Sequence, residues 1–218
     1  MMKAFIFDMD GVILDSEPIH FDVDLMTLKH FGVSINKEDL EKYVGMTNPE
    51  MWRLIKAEHN IPQTVAEIID FQLRNKIEVL KNSGIQPIAG IKDLINELHI
   101  YNIPIAIASS SPRDFIEAVL DKFGISDRFV CIVSGEEVNK GKPEPDVYLA
   151  AARLMGVEPI NCVVLEDSKN GVIAAKAASM KCIGYRNFNS GNQDLSQADM
   201  IVQTINEIVV EDLLWDRT

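Results

Sequence analysis

The sequence predicts an α/β protein: a doubly wound, Rossmann-like parallel sheet core with an all-helical cap inserted after the first strand. Three observations carry that expectation. Short, wholly apolar runs recur at Ala4–Phe7, Pro104–Ala108, Phe129–Val133, Cys162–Leu165, Cys182–Gly184 and Met200–Val202, as suits parallel strands covered on both faces. From residue 85 onward, segments with apolar residues at helical spacing alternate with these runs. Between residues 17 and 84 the alternation stops and only helical patterns remain.

Taken in order, Ala4–Phe7 runs straight into Asp8-Met9-Asp10-Gly11-Val12. Alternate residues of a strand point to the same side, so both carboxylates project toward one spot at the strand's carboxyl end. Like charges held together need a cation or a shared proton, and two acids beside a glycine turn suggest a divalent metal and a reaction. Helices are expected next over His20–Phe31, Lys37–Tyr43, Asn48–His59 and Thr64–Lys81, between the linker-like stretches Asp15-Ser16-Glu17-Pro18 and Ser83-Gly84-Ile85-Gln86-Pro87. The expected domains are therefore a core of residues 1–16 plus 85–218 and a cap of residues 17–84. Entered directly after the first acids, the cap is well placed to act as a lid. In the core, Ile91, Leu94, Ile95 and Leu98 form one helical face, and Phe115, Ile116, Val119, Leu120 and Phe123 another. Ser111, Pro112 and Asp114 read as N-cap, N1 and N3 of the second helix. The acidic tail Glu207–Asp216 suits a terminal amphipathic helix packed through Ile208, Leu213, Leu214 and Trp215.

Composition excludes several classes. A net charge of -12 argues against nucleic acid, which is bound through clustered Lys and Arg. No stretch approaches the run of apolar residues a membrane helix needs, and acids at positions 8 and 10 break any signal-peptide layout. Cys131, Cys162 and Cys182 are odd in number, far apart and set in apolar runs, so they read as buried hydrophobes rather than a disulfide framework or zinc site. A cytoplasmic monomer is the expectation.

Three more segments end at the same face of the expected sheet. Ser109-Ser110-Ser111 closes the second strand with hydroxyls and backbone N–H groups at a helix start, a natural phosphate cradle. Lys142 precedes a helix within Lys140-Gly141-Lys142-Pro143-Glu144-Pro145-Asp146, and Glu166-Asp167-Ser168 ends another strand. Each alone has a bland reading as a cap or a solvated charge. Together they bring four carboxylates, a hydroxyl and a lysine to the ends of parallel strands.

With these motifs in this order, the sequence resembles the haloacid dehalogenase superfamily, in the helical-capped branch that includes β-phosphoglucomutase and small phosphatases. The resemblance rests on Asp8-Met9-Asp10-Gly11-Val12, Ser109, Lys142 with Pro143-Glu144-Pro145-Asp146, and Glu166-Asp167-Ser168 followed by Gly171. It implies that Asp8 is the nucleophile and Asp10 the general acid/base. It implies that Ser109 and Lys142 hold the phosphoryl oxygens of a small phosphorylated metabolite, with Ser110 beside them in the phosphate-binding cradle. Mg²⁺ would sit between Asp8, the backbone carbonyl of Asp10 and Asp167, with Glu166 as a further ligand or as support. The chemistry agrees: a carboxylate is ionised at neutral pH without an activating base, and Mg²⁺ prefers carboxylate and phosphate oxygens.

Specificity is expected from the cap and its hinge: Ser16, Glu17, His20, the loop with Gly45, Thr47 and Asn48, and Ser111 on the core side. Glu17 and His20 lie one helical turn apart and can share a face, and Asn48 before Pro49 reads as an N-cap. Mutases of this family carry a Lys before the loop glycine and an Arg three residues after it. Here Val44 and Asn48 stand in those places, which favours a phosphatase, although Arg53, Arg74 or Lys76 could replace the clamp. A receiver domain also uses acids, a hydroxyl, a Lys and Mg²⁺, but it has no helical insert after its first strand. A binding protein that has lost catalysis is disfavoured because no motif position is missing.

Overall fold

The computed structural model describes residues 1–36, 39, 40, 43 and 48–214, with only the backbone of Glu17. The chain divides into two compact units, Met1–Asp15 with Ile85–Thr218, and Ser16–Gly84. Six strands are described: β1 (Ala4–Phe7), β2 (Ile105–Ser109), β3 (Cys131–Ser134), β4 (Cys162–Glu166), β5 (Lys181–Tyr185) and β6 (Met200–Val202). They form one sheet in the order β3-β2-β1-β4-β5-β6, parallel throughout. The described helices are α1 (Glu17–His30), α2 (Asn48–His59) and α3 (Val65–Asn82) in the second unit. In the first they are α4 (Ile91–Ile100), α5 (Arg113–Phe123), α6 (Asp146–Met155), α7 (Lys169–Ala177) and α8 (Val210–Leu214).

The apolar runs become strands because the sheet is covered on both faces. Every residue of β1, β2 and β4 is buried, and Phe7 is in register with Ile107 on one side and Leu165 on the other. Ile6, Ala106, Ala108, Val164 and Cys182 pack with Val147, Tyr148 and Ala151 of α6 and with Val172 and Ala175 of α7. Burying each of the Ile and Val side chains among these contributes about 1.5–3 kcal/mol. The strand order reverses at β1 and β4, the place where an open α/β sheet takes its ligand beyond the carboxyl ends. Asp8 follows β1, Ser109 ends β2 and Glu166 ends β4, so the topology alone brings these segments to one edge.

The start of α5 corrects one expectation. Ser111 is not its N-cap: the helix begins at Arg113 with Pro112 in the cap position, and the Ser111 hydroxyl bonds to Asp10 instead. The three cysteines are free, with Cys131 only half-buried. At the C-terminus α8 packs within its own unit: Ile208 and Val210 are buried, and the Met2 N–H donates to the Leu213 carbonyl at 3.3 Å. Trp215 lies outside the described residues. No helix among them is long and apolar enough to cross a membrane.

The unit Ser16–Gly84 has its own core, built from Leu28, Val33, Leu40, Tyr43, Trp52, Ile55, Ile61 and Ile68. No strand occurs among its described residues. The start of α3 is fixed by a reciprocal cap: the Glu67 N–H donates to Thr64 Oγ1 at 3.2 Å, and the Thr64 N–H to Glu67 Oε2 at 2.8 Å. Two polar rungs join α1 to α3. His20 Nε2 meets Lys76 Nζ at 3.2 Å, and Gln72 Nε2 donates to Asp24. Both partners step by four residues along their helices, so the rungs stack. Of the expected helix Lys37–Tyr43, only Asp39, Leu40 and Tyr43 are described.

Candidate active site

The site is assembled from the ends of β1, β2 and β4. The Asp8 N–H donates to the Leu165 carbonyl at 3.0 Å, which carries the β1–β4 ladder one residue past Phe7. The chain then turns sharply, with Ile13 N–H on the Met9 carbonyl and Gly11 N–H on the Leu14 carbonyl, both at 2.8 Å. Gly11 has φ +79°, and a Cβ there would stand 1.9 Å from Asp167 Oδ2. Glycine is therefore required twice, for the left-handed backbone and for the approach of Asp167.

Lys142 bridges the two strand ends. Its Nζ lies 2.5 Å from Asp8 Oδ1, 2.7 Å from Glu166 Oε1 and 4.9 Å from the Tyr148 ring centroid. Glu166 is fully buried and carries five donors. Tyr148 Oη at 2.8 Å joins Lys142 on Oε1, while the Asp167 and Ser168 N–H groups at 2.9 Å and Ser168 Oγ at 3.0 Å reach Oε2. A Cβ on Gly171 would fall 1.6 Å from Glu166 Oε1, so the first turn of α7 can lie against this carboxylate only with glycine there. With both oxygens committed to protein donors, Glu166 holds Lys142 and the β4–α7 turn in place.

Asp10 is held differently. Its Oδ2 accepts from Ser111 Oγ at 2.7 Å and from Ser109 Oγ at 3.4 Å. The Ser111 N–H in turn donates to Ser109 Oγ at 3.0 Å, and Ser134 Oγ to the Ser111 carbonyl at 2.7 Å. Ser109 is buried and Ser110 exposed at the end of the same strand. The structure thus brings together Asp8, Asp10, Ser109, Ser111, Lys142, Glu166 and Asp167, with Ser110 the next residue after β2. Asp8, Glu166 and Asp167 each offer an oxygen within 4.8 Å of the other two. This cluster fits Mg²⁺, with Asp8 and Asp167 as hard-oxygen donors and Glu166, its oxygens already committed, adding negative charge beside them.

Residues 5–185 match the family model of the haloacid dehalogenase-like hydrolases. The chain belongs to that family. It is 31% identical over 217 residues to hexitol phosphatase B of Escherichia coli (strain K12), covering 97% of this chain and 96% of that protein. It is also 31% identical over 216 residues to β-phosphoglucomutase of Bacillus subtilis (strain 168), covering 96% and 93%. Among solved structures it resembles CbbY from Rhodobacter sphaeroides, crystallised with xylulose-(1,5)bisphosphate, with a TM-score of 0.85, 27% identity and coverage of 95% and 96%.

In this haloacid dehalogenase-like hydrolase the electrostatics of the site are strained without a cation. Burial pushes the Asp8 carboxyl well above the usual carboxylate range; Lys142 pulls it back, and Glu166, Asp167 and Asp10 add to the rise. Burial thus opposes the charge that Lys142 supports on Asp8. Glu166 behaves oppositely. Burial works against its charge, but Lys142 and the bonds from Ser168 and Tyr148 outweigh burial and hold it below its ordinary value. Burial works against the Lys142 charge too, yet Asp8 and Glu166 raise that ammonium above its usual range. Burial and the Glu166 charge push Asp167 up to about 7.

A pH effect on stability follows. The folded state keeps the Asp167 proton to about pH 7, whereas the unfolded chain releases it near the ordinary value. Between those limits the native state binds more protons, so stability falls as pH rises. The metal-free protein is expected to lose roughly 2 kcal/mol from this group between about pH 5 and pH 7. Thermal unfolding in EDTA across that range checks it. The midpoint should fall with pH, and Asp167→Asn should flatten the slope; a flat wild-type midpoint contradicts it.

Of the candidates in the helical unit, Ser16 is buried at the start of α1 with no capping bond from its hydroxyl. His20 meets Lys76, and Asn48 Nδ2 donates to Gln72 Oε1 at 2.7 Å. Gly45, Thr47 and the side chain of Glu17 lie outside the described residues. Sequence reasoning missed Tyr148, whose apolar helical spacing marks it as core and gives no sign that its hydroxyl reaches Glu166. It also missed the segment after β5, where Asn187 Nδ2 donates to the Gly11 carbonyl at 3.0 Å and Ser190 Oγ to Asp167 Oδ2. Its position at a strand's carboxyl end was the one available signal.

Proposed function

We propose that this hydrolase is a Mg²⁺-dependent phosphatase of small phosphomonoesters, sugar phosphates first among them, acting through an aspartyl phosphate on Asp8. The observation that carries the reading is the division of labour among the strand-end acids. Asp8 lies against a buried Lys142, while Asp10 is held apart on serine hydroxyls. Mg²⁺ would be held by Asp8, Asp167 and the backbone carbonyl of Asp10, with Glu166 as support. When bound, the ion would offset the clustered negative charge and let a phosphate dianion approach a carboxylate.

The chain's own residues do the rest. An Asp8 oxygen attacks phosphorus, its new bond to phosphorus forming as the bond to the leaving oxygen breaks. Lys142 and the Ser109–Ser110 strand end hold the phosphoryl oxygens. Asp10, aimed by Ser111, gives its proton to the leaving alkoxide. It then takes a proton from the water that attacks the acyl phosphate, releasing inorganic phosphate and restoring Asp8. The helical unit would serve as the cap, excluding water and reading the substrate through Ser16, Glu17, His20, Gly45, Thr47 and Asn48.

Similarity to hexitol phosphatase B supports a phosphatase acting on a polyol or sugar phosphate. A phosphosugar mutase is the second reading, favoured by similarity to the Bacillus subtilis β-phosphoglucomutase. Against it stands Asn48, an uncharged amide bound to Gln72, where the mutase clamp needs a cation. The test is a panel of phosphorylated metabolites with Mg²⁺ and with EDTA, run beside a β-glucose 1-phosphate isomerisation assay. Phosphate release from hexose or hexitol phosphates that EDTA stops and Mg²⁺ restores is expected. Release unaffected by EDTA removes the metal, and efficient isomerisation with little release replaces the phosphatase by the mutase.

A further inference from the structure

We propose that Ser190, in the loop that follows β5, is a positioning residue for the metal site: its hydroxyl fixes the Asp167 carboxylate in the orientation that takes the ion. The inference rests on the reading of Asp8 and Asp167 as metal ligands. It starts from the question of why the loop folds back over the catalytic turn at all.

Leu195 and Ala198 pack the far end of the loop against the core, but the segment around Ser190 is not held that way. Phe188, at the tip, is 82% exposed. Polar bonds hold the loop instead, and they aim at the site. Asn187 is buried; its Nδ2 donates to the Gly11 carbonyl at 3.0 Å, and its Oδ1 accepts the Asn189 N–H at 2.9 Å. Asn189 Nδ2 donates to Asp15 Oδ2 at the far end of the same turn. Ser190 is then gripped from behind: its carbonyl accepts from Gln193 Nε2 at 2.9 Å, while Gln193 Oε1 accepts the Lys169 N–H at 3.1 Å. Lys169 opens α7 two residues after Asp167. The loop is thus tied both to the nucleophile turn and to the segment carrying Asp167, and Ser190 sits between the two ties.

The Ser190 hydroxyl donates to Asp167 Oδ2. Among the described residues this is the hydrogen bond that reaches the Asp167 carboxylate, whereas Glu166 has five donors. A Cβ on Gly11 would stand 2.8 Å from Ser190 Oγ and 1.9 Å from Asp167 Oδ2, so the missing side chain of Gly11 is what lets the two meet. Partners of this kind orient a ligating carboxylate, and their loss typically weakens metal affinity by about 10–100-fold.

The experiment is calorimetric titration of the metal-free full chain with MgCl₂, without substrate, for wild type, Ser190→Ala and Ser190→Thr. Phosphate release is measured against Mg²⁺ concentration in parallel. Ser190→Ala is expected to bind Mg²⁺ at least about tenfold more weakly, with kcat restored at saturating Mg²⁺. Ser190→Thr, which keeps the hydroxyl, is expected to bind as wild type. Wild-type affinity in the alanine variant, equal losses in both variants, or a kcat deficit that Mg²⁺ does not restore would each overturn the role of Ser190 while leaving the metal site standing. A wild type that takes up no Mg²⁺ overturns the metal assignment itself, and this inference with it.

Discussion

Replacing Asp8 by asparagine is expected to lower turnover by at least about 10⁴-fold, the scale on which losing a covalent nucleophile falls, while leaving the fold intact. The amide has nearly the shape of the carboxylate, and its oxygen can still accept from Lys142, which keeps its second partner in Glu166. What disappears is a charge that the metal-free protein holds at a cost. Burial and three neighbouring acids already push the Asp8 carboxyl upward. In EDTA above neutral pH, Asp8→Asn should therefore unfold at the wild-type temperature or higher, which separates lost chemistry from lost structure. Added Mg²⁺ should raise the wild-type midpoint more than that of the variant, because one ligand has gone. Acid-quenched reactions with a labelled substrate complete the test. Retained acyl phosphate in the variant would remove Asp8 from the nucleophile's role.

The strands and the strand-end acids were legible in the sequence for one physical reason. Parallel strands covered on both faces must be short apolar runs, and the loops at their carboxyl ends must then meet at one edge of the sheet. Ala4–Phe7 followed by Asp8, and Cys162–Leu165 followed by Glu166, announce both facts locally. Ser111 misled because its signal was also local. Ser-Pro-x-Asp is a helix start on paper, but the helix begins at Arg113 with Pro112 in the cap position, and the Ser111 side chain turns instead to Asp10, which arrives from the turn after β1. Tyr148 and Ser190 stayed hidden because their partners, Glu166 and Asp167, arrive only when β4 is laid beside them. The balance of forces on Asp8 was hidden for a related reason: the ordinary value belongs to a solvated carboxylate, and burial at the end of β1 is a tertiary fact.

Asp10→Asn is expected to slow turnover by about 10²–10⁴-fold, the range for a positioned general acid/base, and the pattern of loss says more than its size. The substitution preserves geometry, since the amide oxygen can keep the bond from Ser111 Oγ that now ends on Asp10 Oδ2. It removes proton transfer in both halves of the reaction. With a sugar phosphate the leaving alkoxide needs that proton, so acyl phosphate should form slowly and no burst should precede the steady state. With an aryl phosphate the leaving phenolate needs little help, so the first half survives while water attack on the acyl phosphate stays slow. A burst of one phenolate per site, then a slow steady rate, is expected for the variant on p-nitrophenyl phosphate. A variant that matches wild type on both substrates would leave Asp10 with no proton to carry. A variant that loses both the burst and the Ser111-held geometry would make Asp10 a structural anchor for the β1 turn instead. The two-substrate comparison thus tests whether the pair Asp8 and Asp10 divides into a nucleophile that bonds to phosphorus and an acid that never does.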